Sequence, residues 1–219
     1  MVIKWIVSGL VAAAASATLA AGRGVPAAAS AGIDDVAQVG RVLEGMRGTA
    51  PIPCGLALTV LDGRNGWGWS HDEVQSGSDS TVGEIRRWAS EGIKDPAVVP
   101  ILRSAMGPGD QCVRESAARL LGRTEHPRAI AALAEALRDP DLETRRLAAL
   151  ALGLGDDKSA FEPLVAALRD QEPAVRATAA ISLGRLGDDR ASKSLLPLLT
   201  GDRVPSVRRA AAYALGDLD

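Results

Sequence analysis

A chain of 219 residues that is 47% hydrophobic yet only 3% aromatic draws its apolar content mainly from Ala, Leu and Val. That mix suits helices packed closely through small side chains and argues against a β-sandwich. The net charge is −2, and it falls to −4 if residues 1–31 are removed with Lys4 and Arg23, which argues against nucleic-acid binding through phosphates.

Residues 1–31 read as a signal peptide. Lys4 opens the segment, Ile6 to Ala21 is uncharged and apolar, and small residues follow. Thr18-Leu19-Ala20 before Ala21 and Ala27-Ala28-Ala29 before Ser30 both fit a small-x-small cleavage site. The alternative is an uncleaved membrane anchor over residues 2–22, a run nearly long enough to span a bilayer. No Cys stands at either cleavage site, which argues against a lipid-modified N-terminus. The excess of 21 Arg over 4 Lys, with abundant Ala and Gly, associates with a GC-rich bacterial source. The expected location is therefore periplasmic or extracellular, or membrane-attached if the leader is retained.

Residues 32–93 read as a worn helix pair with an irregular tail. Val36, Val39, Val42, Leu43 and Met46 form a helical stripe after Asp34-Asp35. Cys54 to Asp62 predicts a second, short helix ending at Gly63. Residues 64–80, rich in Gly, Ser and Asp, predict an irregular loop carrying Trp67 and Trp69. Thr81-x-x-Glu84 is a capping box for a helix over 82–91 with Val82, Ile85 and Trp88. Trp67-Gly68-Trp69 could stack on a sugar or peptide; the plainer expectation is that the rings cover the apolar edge of the first helix pairs.

From residue 94 to 219 the chain repeats itself. Leu121-Gly122, Leu152-Gly153, Leu183-Gly184 and Leu215-Gly216 recur at steps of 31, 31 and 32. Arg114, Arg145, Arg176 and Arg208 keep the same steps, as do the paired alanines at 117–118, 148–149, 179–180 and 211–212. Leu102, Leu133, Leu164 and Leu195 are spaced by 31 throughout, so the one extra residue lies between Leu199 and Arg208, in the turn expected around Gly201-Asp202. Many positions sharing one period are the mark of a solenoid, in which single units cannot bury their apolar stripes and must stack. Each period holds two stripes, which predicts helix pairs at 95–106 with 111–121, 127–138 with 142–152, 158–169 with 173–183, and 189–199 with 205–215. Asp95-Pro96 and His126-Pro127 mark helix starts. Gly122, Gly153 and Gly184 are expected to end their helices in the left-handed conformation.

The pattern Asp-(x)5-Arg-(x)2-Ala-Ala-(x)2-Leu-Gly, carried by Asp139 to Gly153 and Asp170 to Gly184 and continued from Asp202 through Arg208 to Gly216, resembles the short HEAT repeats of the phycobilisome-lyase-like type. The resemblance covers residues 95–219 and implies an all-α superhelix, a HEAT-like solenoid behind the signal segment. It also implies that Asp139, Arg145, Asp170, Arg176, Asp202 and Arg208 bond turn to helix. The first repeat departs, with Pro108 in the Asp position before Arg114 and Asp110 as its expected substitute. Second helices line the concave face in such solenoids. Glu115, Arg146 and Arg209, each beside a repeat Arg, are therefore the candidate interaction face, set against a merely solvated face; Ala177 holds the same place in the third repeat.

No catalytic, cofactor-binding or metal site is expected. Some HEAT-repeat proteins are di-iron hydroxylases with repeated His-Glu pairs, but this chain has only His71, followed by Asp72, and His126, preceded by Glu125. Cys54, Cys112, His71 and His126 lack metal-ligand spacing, and the serines near His71 form no nucleophile motif. Cys54 and Cys112, the only cysteines, stand near the start of second helices, and export favours a disulfide over two buried thiols. The expected function is protein interaction or scaffolding outside the cytoplasm. The alternatives are an enzyme or accessory of the lyase or oxidoreductase kind, and a detached sensor or binding domain of a membrane system. The expected partners are proteins, with self-association through an uncapped C-terminal end that includes Leu195, Ala211 and Leu215.

Overall fold

A computed structural model describes residues 35–48, 54–55, 58, 61, 87–88 and 91–218. Helix α1 spans Asp35–Met46. The first regular pair is α2 (Val98–Ala105) and α3 (Gln111–Gly122), and the second is α4 (Pro127–Ala136) and α5 (Leu142–Leu152). In the third, a 3-10 turn (Lys158–Ala160) leads into α6 (Phe161–Ala167), followed by α7 (Pro173–Leu186). The fourth is α8 (Ala191–Gly201) and α9 (Pro205–Gly216). Among the described residues the only strand-like feature is an isolated bridge between Ile93 and Thr124.

Local chemistry sets the boundaries. The carboxylates of Asp110 and Asp141 accept the amides of Val113 and Thr144, capping α3 and α5. His126 Nδ1 accepts the amide of Arg128, and Pro127 occupies the first turn of α4, where its missing N–H is no loss. Some ends differ from expectation. Helix α2 begins at Val98 rather than 95, because Asp95 accepts the Ala97 amide in a turn that precedes the helix. The expected helix at 158–169 opens as the 3-10 turn, capped by Asp157 through the Ser159 amide. Helix α8 runs on to Gly201, so the extra residue of the last repeat lengthens the helix instead of the turn.

The core runs through all four pairs as one cluster. Leu102, Leu133, Leu164 and Leu195 on the first helices are fully buried. Each contributes roughly 2–3 kcal/mol relative to exposure. The second helices pack on one another in the row α3–α5–α7–α9. Ala117, Ala118, Ala148, Ala149, Ala179, Ala180 and Ala211 are buried to zero exposure, letting the backbones approach closely.

The repeat glycines do different work from that expected. Gly122, Gly153 and Gly184 are not left-handed helix ends; among the described residues only Gly48, Gly92 and Gly187 have positive φ. Gly184 lies inside α7, which ends three residues later with Gly187 at φ 59°. A Cβ on Gly122 would come 2.3 Å from the Ala151 carbonyl oxygen. On Gly153 it would come 2.4 Å from Ser182 Cβ, and on Gly184 2.7 Å from Ala214 Cα. These glycines exist for the contact between neighbouring second helices, not for a turn.

The described parts of 35–91 join the same core. Helix α1 packs on α2 and α3, and Trp88, fully buried, donates its indole N–H to the Asp35 carboxylate at 3.3 Å. Arg87 also pairs with Asp35, at 2.8 Å, and donates to the Gln38 side chain. Ile93 exchanges backbone bonds with Arg123 and Glu125, tying the segment before α2 to the end of α3. The leader with its cleavage sites, the loop at 64–80 with Trp67, Trp69 and His71, and the Thr81–Glu84 capping box lie outside the described residues.

Candidate functional site

A ladder of arginines runs along the second helices. Arg145 on α5 donates through Nε and Nη2 to both carboxylate oxygens of Asp170 in the next turn, at 2.9 and 3.3 Å. Its Nη1 donates to the carbonyls of Asp139 and Pro140 in its own turn, at 3.0 and 3.1 Å. Arg176 on α7 repeats the arrangement, with Asp202 at 2.8 and 3.0 Å and the carbonyls of Asp170 and Gln171. Each turn Asp also accepts the amide two residues on: Asp139 from Asp141, Asp170 from Glu172 and Asp202 from Val204. So each Arg fixes its own turn and grips the next one. Arg208 on α9 makes the first half of this set, donating to the carbonyls of Asp202 and Arg203.

The first rungs are shifted. Arg103 on α2 occupies the Asp139 carboxylate at 2.9 Å. Arg114 reaches instead to Asp141 and the Thr144 hydroxyl, and holds its own turn through the Met106 carbonyl at 3.1 Å. Among the described residues, Asp110 accepts no hydrogen bond from an Arg. It occupies the N-cap place of Asp141 one period earlier, and its second oxygen accepts the Gly48 amide at 2.9 Å. The residue one period before Arg114 is Gly83, which carries no guanidinium to offer it.

These contacts show in the titration of the groups. The Arg176 guanidinium holds the Asp202 carboxyl below its ordinary value, and Asp202 in turn raises Arg176. Asp170 raises Arg145. Hydrogen bonds from Thr144, then Arg114, lower Asp141, and the amides of Gly48 and Val113 lower Asp110.

Beside the ladder lie the residues expected to form an interaction face. Glu115 on α3 accepts from Gln111 Nε2 at 3.0 Å and from Arg119 Nη1 at 3.2 Å. Arg146 on α5 is held by Glu143 and comes within 4.0 Å of Glu115. Glu115 and Arg146 thus join one half-buried network across two repeats. Ala177 interrupts the series, and Arg209 stands apart and exposed on α9. Sequence reasoning missed Arg119 and Glu143, although Glu115–Arg119 and Glu143–Arg146 at four and three residues are helix-pair spacings. It also missed Lys158, which donates to the carbonyls of Leu186 and Gly187 at the end of α7.

Cys54 and Cys112 are joined in a disulfide, Cα atoms 5.9 Å apart, that pins the N-terminal unit to the start of α3. Both thiolates are thereby unavailable as metal ligands, and His126 Nδ1 is committed to its cap. Among the described residues no group of His, Cys, Asp and Glu has the arrangement of a metal site.

The HEAT repeats family matches residues 79–148 and 132–216, together more than half of the chain. No curated protein matches the sequence. Among solved structures, human deoxyhypusine hydroxylase in complex with glycerol is 19% identical with a TM-score of 0.49, over 82% of this chain and 73% of that one. The CpcE–CpcF complex of phycocyanin lyase from Nostoc is 24% identical with a TM-score of 0.45, over 78% and 67%. A designed armadillo repeat protein in complex with a (KR)4 peptide is 13% identical with a TM-score of 0.42, over 84% and 87%. The stacked helix pairs, their Arg–Asp ladder and the family match agree: this chain belongs to the HEAT repeat family.

Proposed function

We propose that the chain is a non-catalytic protein-interaction or scaffolding module, exported to the periplasm or beyond a bacterial cell, that recognises its partners through the row of second helices. The observation that carries this reading is a contrast between adjacent positions. Arg114, Arg145, Arg176 and Arg208 are identical, as are Ala118, Ala149, Ala180 and Ala212 and the glycines that follow them. The neighbouring places hold Glu115, Arg146, Ala177 and Arg209, which differ in charge and size. A repeated scaffold with variable side chains beside it is how a solenoid presents an extended recognition surface. The disulfide favours an oxidising compartment, and with the apolar leader it supports export.

The test has two arms. Mass spectrometry of the protein from its own cells should find a mature N-terminus after Ala20 or Ala29; a start at Met1 or Val2 would rule out cleavage. Metal analysis and absorbance of the same material should find neither stoichiometric metal nor chromophore; either one would favour an enzyme or enzyme accessory.

A further inference from the structure

The turns that join each first helix to its second helix lie along one edge of the solenoid, and the Arg–Asp ladder links them there. Along this edge the carboxylates are committed within the fold. Asp139 is paired with Arg103, Asp141 with Arg114, Asp170 with Arg145 and Asp202 with Arg176. Asp170 and Asp202 keep only 11% and 9% of their side-chain surface. Glu143 is held by Arg146, and Glu172 joins Asp170 and Asp202 in raising Arg145 and Arg176. Arg138, Arg169 and Arg203 are left over. All three are exposed in successive turns, and among the described residues none has a carboxylate within ion-pair distance. Arg138 and Arg169 hold the same place one period apart, with repeats stacked on both sides of each. A guanidinium just past a helix C-terminus suits the helix dipole, which accounts for these two in part. Arg203 precedes the N-terminus of α9, where the dipole opposes a cation, so helix stabilisation does not account for the row. Beside Arg138 an open cleft of about 590 Å³ lies between two turns, lined also by Leu137, Pro140 and Gln171 and by the paired ladder groups.

We infer that this edge docks on a membrane bearing anionic phospholipid, with Arg138, Arg169 and Arg203 on headgroup phosphates and the cleft beside Arg138 open to a headgroup. The guanidinium is the side chain whose planar fork pairs with phosphate oxygens two at a time. The three stand on turn tips, one per repeat, and a row of tips meets a flat surface where a groove would enclose a peptide. The net charge of −2 does not oppose the contact. At physiological ionic strength charges beyond about 8–10 Å are screened, so the lipid surface feels the row and not the whole chain. Contact through the turns leaves the row of second helices uncovered, so a chain held at a membrane by this edge keeps that row open to protein.

This goes beyond the interaction-module reading and uses none of its residues, so either can fail without the other. Co-sedimentation of the chain, as its cells process it, with phosphatidylcholine vesicles that contain or lack phosphatidylglycerol tests it. Binding should need the anionic lipid and should fall about tenfold or more as salt rises from about 0.1 M to about 0.5 M. Arg138→Ala with Arg169→Ala should weaken it about twenty-fivefold, at roughly fivefold per arginine, and adding Arg203→Ala should bring the loss to about a hundredfold. Far-UV circular dichroism should stay unchanged. Arg128→Ala with Lys193→Ala removes the same charge from exposed places on the first helices and should change binding by less than about twofold. A retained leader would hold the chain on both kinds of vesicle; amide hydrogen exchange then reads the contact, with residues 138–141 and 169–172 protected on the anionic vesicles alone. Equal binding to both vesicles without that protection, indifference to salt, or equal losses in the two double variants would each overturn the inference. Capture of polyglutamate through the same arginines, with no binding of vesicles, would overturn it in favour of an acidic protein segment.

Discussion

Gly153 on α5 sits so close to Ser182 on α7 that a β-carbon would come within 2.4 Å of the Ser182 Cβ. The contact decides how near two successive repeats can stack. Gly153→Ala should therefore destabilise the fold by about 1–3 kcal/mol, the usual consequence of overpacking. Gly216→Ala, with open space in the same register, should be neutral or stabilising by up to about 1 kcal/mol through helix propensity. Urea unfolding of both variants at low concentration checks the contrast, and equal effects would contradict it.

Arg176→Ala should cost about 2–3 kcal/mol, because it leaves the nearly buried Asp202 carboxylate and two turn carbonyls without their donor. Asn at 202 keeps the Val204 amide bond and should cost less. Thermal unfolding of both variants tests this, and a loss below 0.5 kcal/mol for Arg176→Ala, on the order of an exposed ion pair, would contradict it.

The acid limb of stability follows from the same carboxylates. Asp110, Asp141 and Asp202 are all lowered by native contacts. Their contribution is fully present above the ordinary carboxylate range, near pH 4, and is lost as pH falls through the folded values. Stability should thus decline below about pH 4. In Arg176→Ala the decline should be shallower, since Asp202 loses the main cause of its shift. A parallel pH profile in the variant would count against Arg176 as that cause.

Reduction should loosen the N-terminal unit. Cys54→Ser with Cys112→Ser, or a reductant, should lower stability by about 2–4 kcal/mol for a bond closing 58 residues of chain. Thiol titration of the unfolded, non-reduced protein should find no free thiol; two per chain would contradict the pairing.

Trp88 is fully buried in the common core and bonded to Asp35 of α1. Trp88→Ala should cost about 3–5 kcal/mol, whereas Trp88→Phe keeps most of the apolar contact and should cost less than half of that. Near-UV circular dichroism and chemical denaturation distinguish the two.

Much of the fold was legible because its period is carried by small residues that have no freedom. Ala118, Ala149 and Ala180 repeat since anything larger would push second helices apart, and the buried leucines at 102, 133, 164 and 195 hold the first helices in phase. The glycines were legible in position but not in purpose, since a Gly after Leu near a helix end looks the same whether it serves a turn or a contact. The ladder's first rungs were not legible either. Arg103 has no counterpart in the later repeats, where Ala134, Val165 and Leu196 stand, so nothing in the period announced that it would take Asp139 from Arg114. The bond between Trp88 and Asp35 joins residues 53 apart and outside the period, which no local pattern encodes. The interaction face was only half legible. The sequence placed Glu115 and Arg146 side by side in register, but each is also paired within its own helix, Glu115 with Arg119 and Arg146 with Glu143, before the two meet across helices.

Site-specific photo-cross-linking in the cells that make the protein tests the central claim most directly. Cross-linking residues would replace Leu142, Ala174 or Arg209 on the second helices and, separately, Ala131, Glu135 or Arg169 on and after the first helices, all of them exposed. A surface that recognises protein should give discrete adducts with a reproducible protein from the second-helix positions and far weaker ones from the other set. No adduct from any position, or the same adducts in the same yield from both sets, would contradict recognition through the second-helix row.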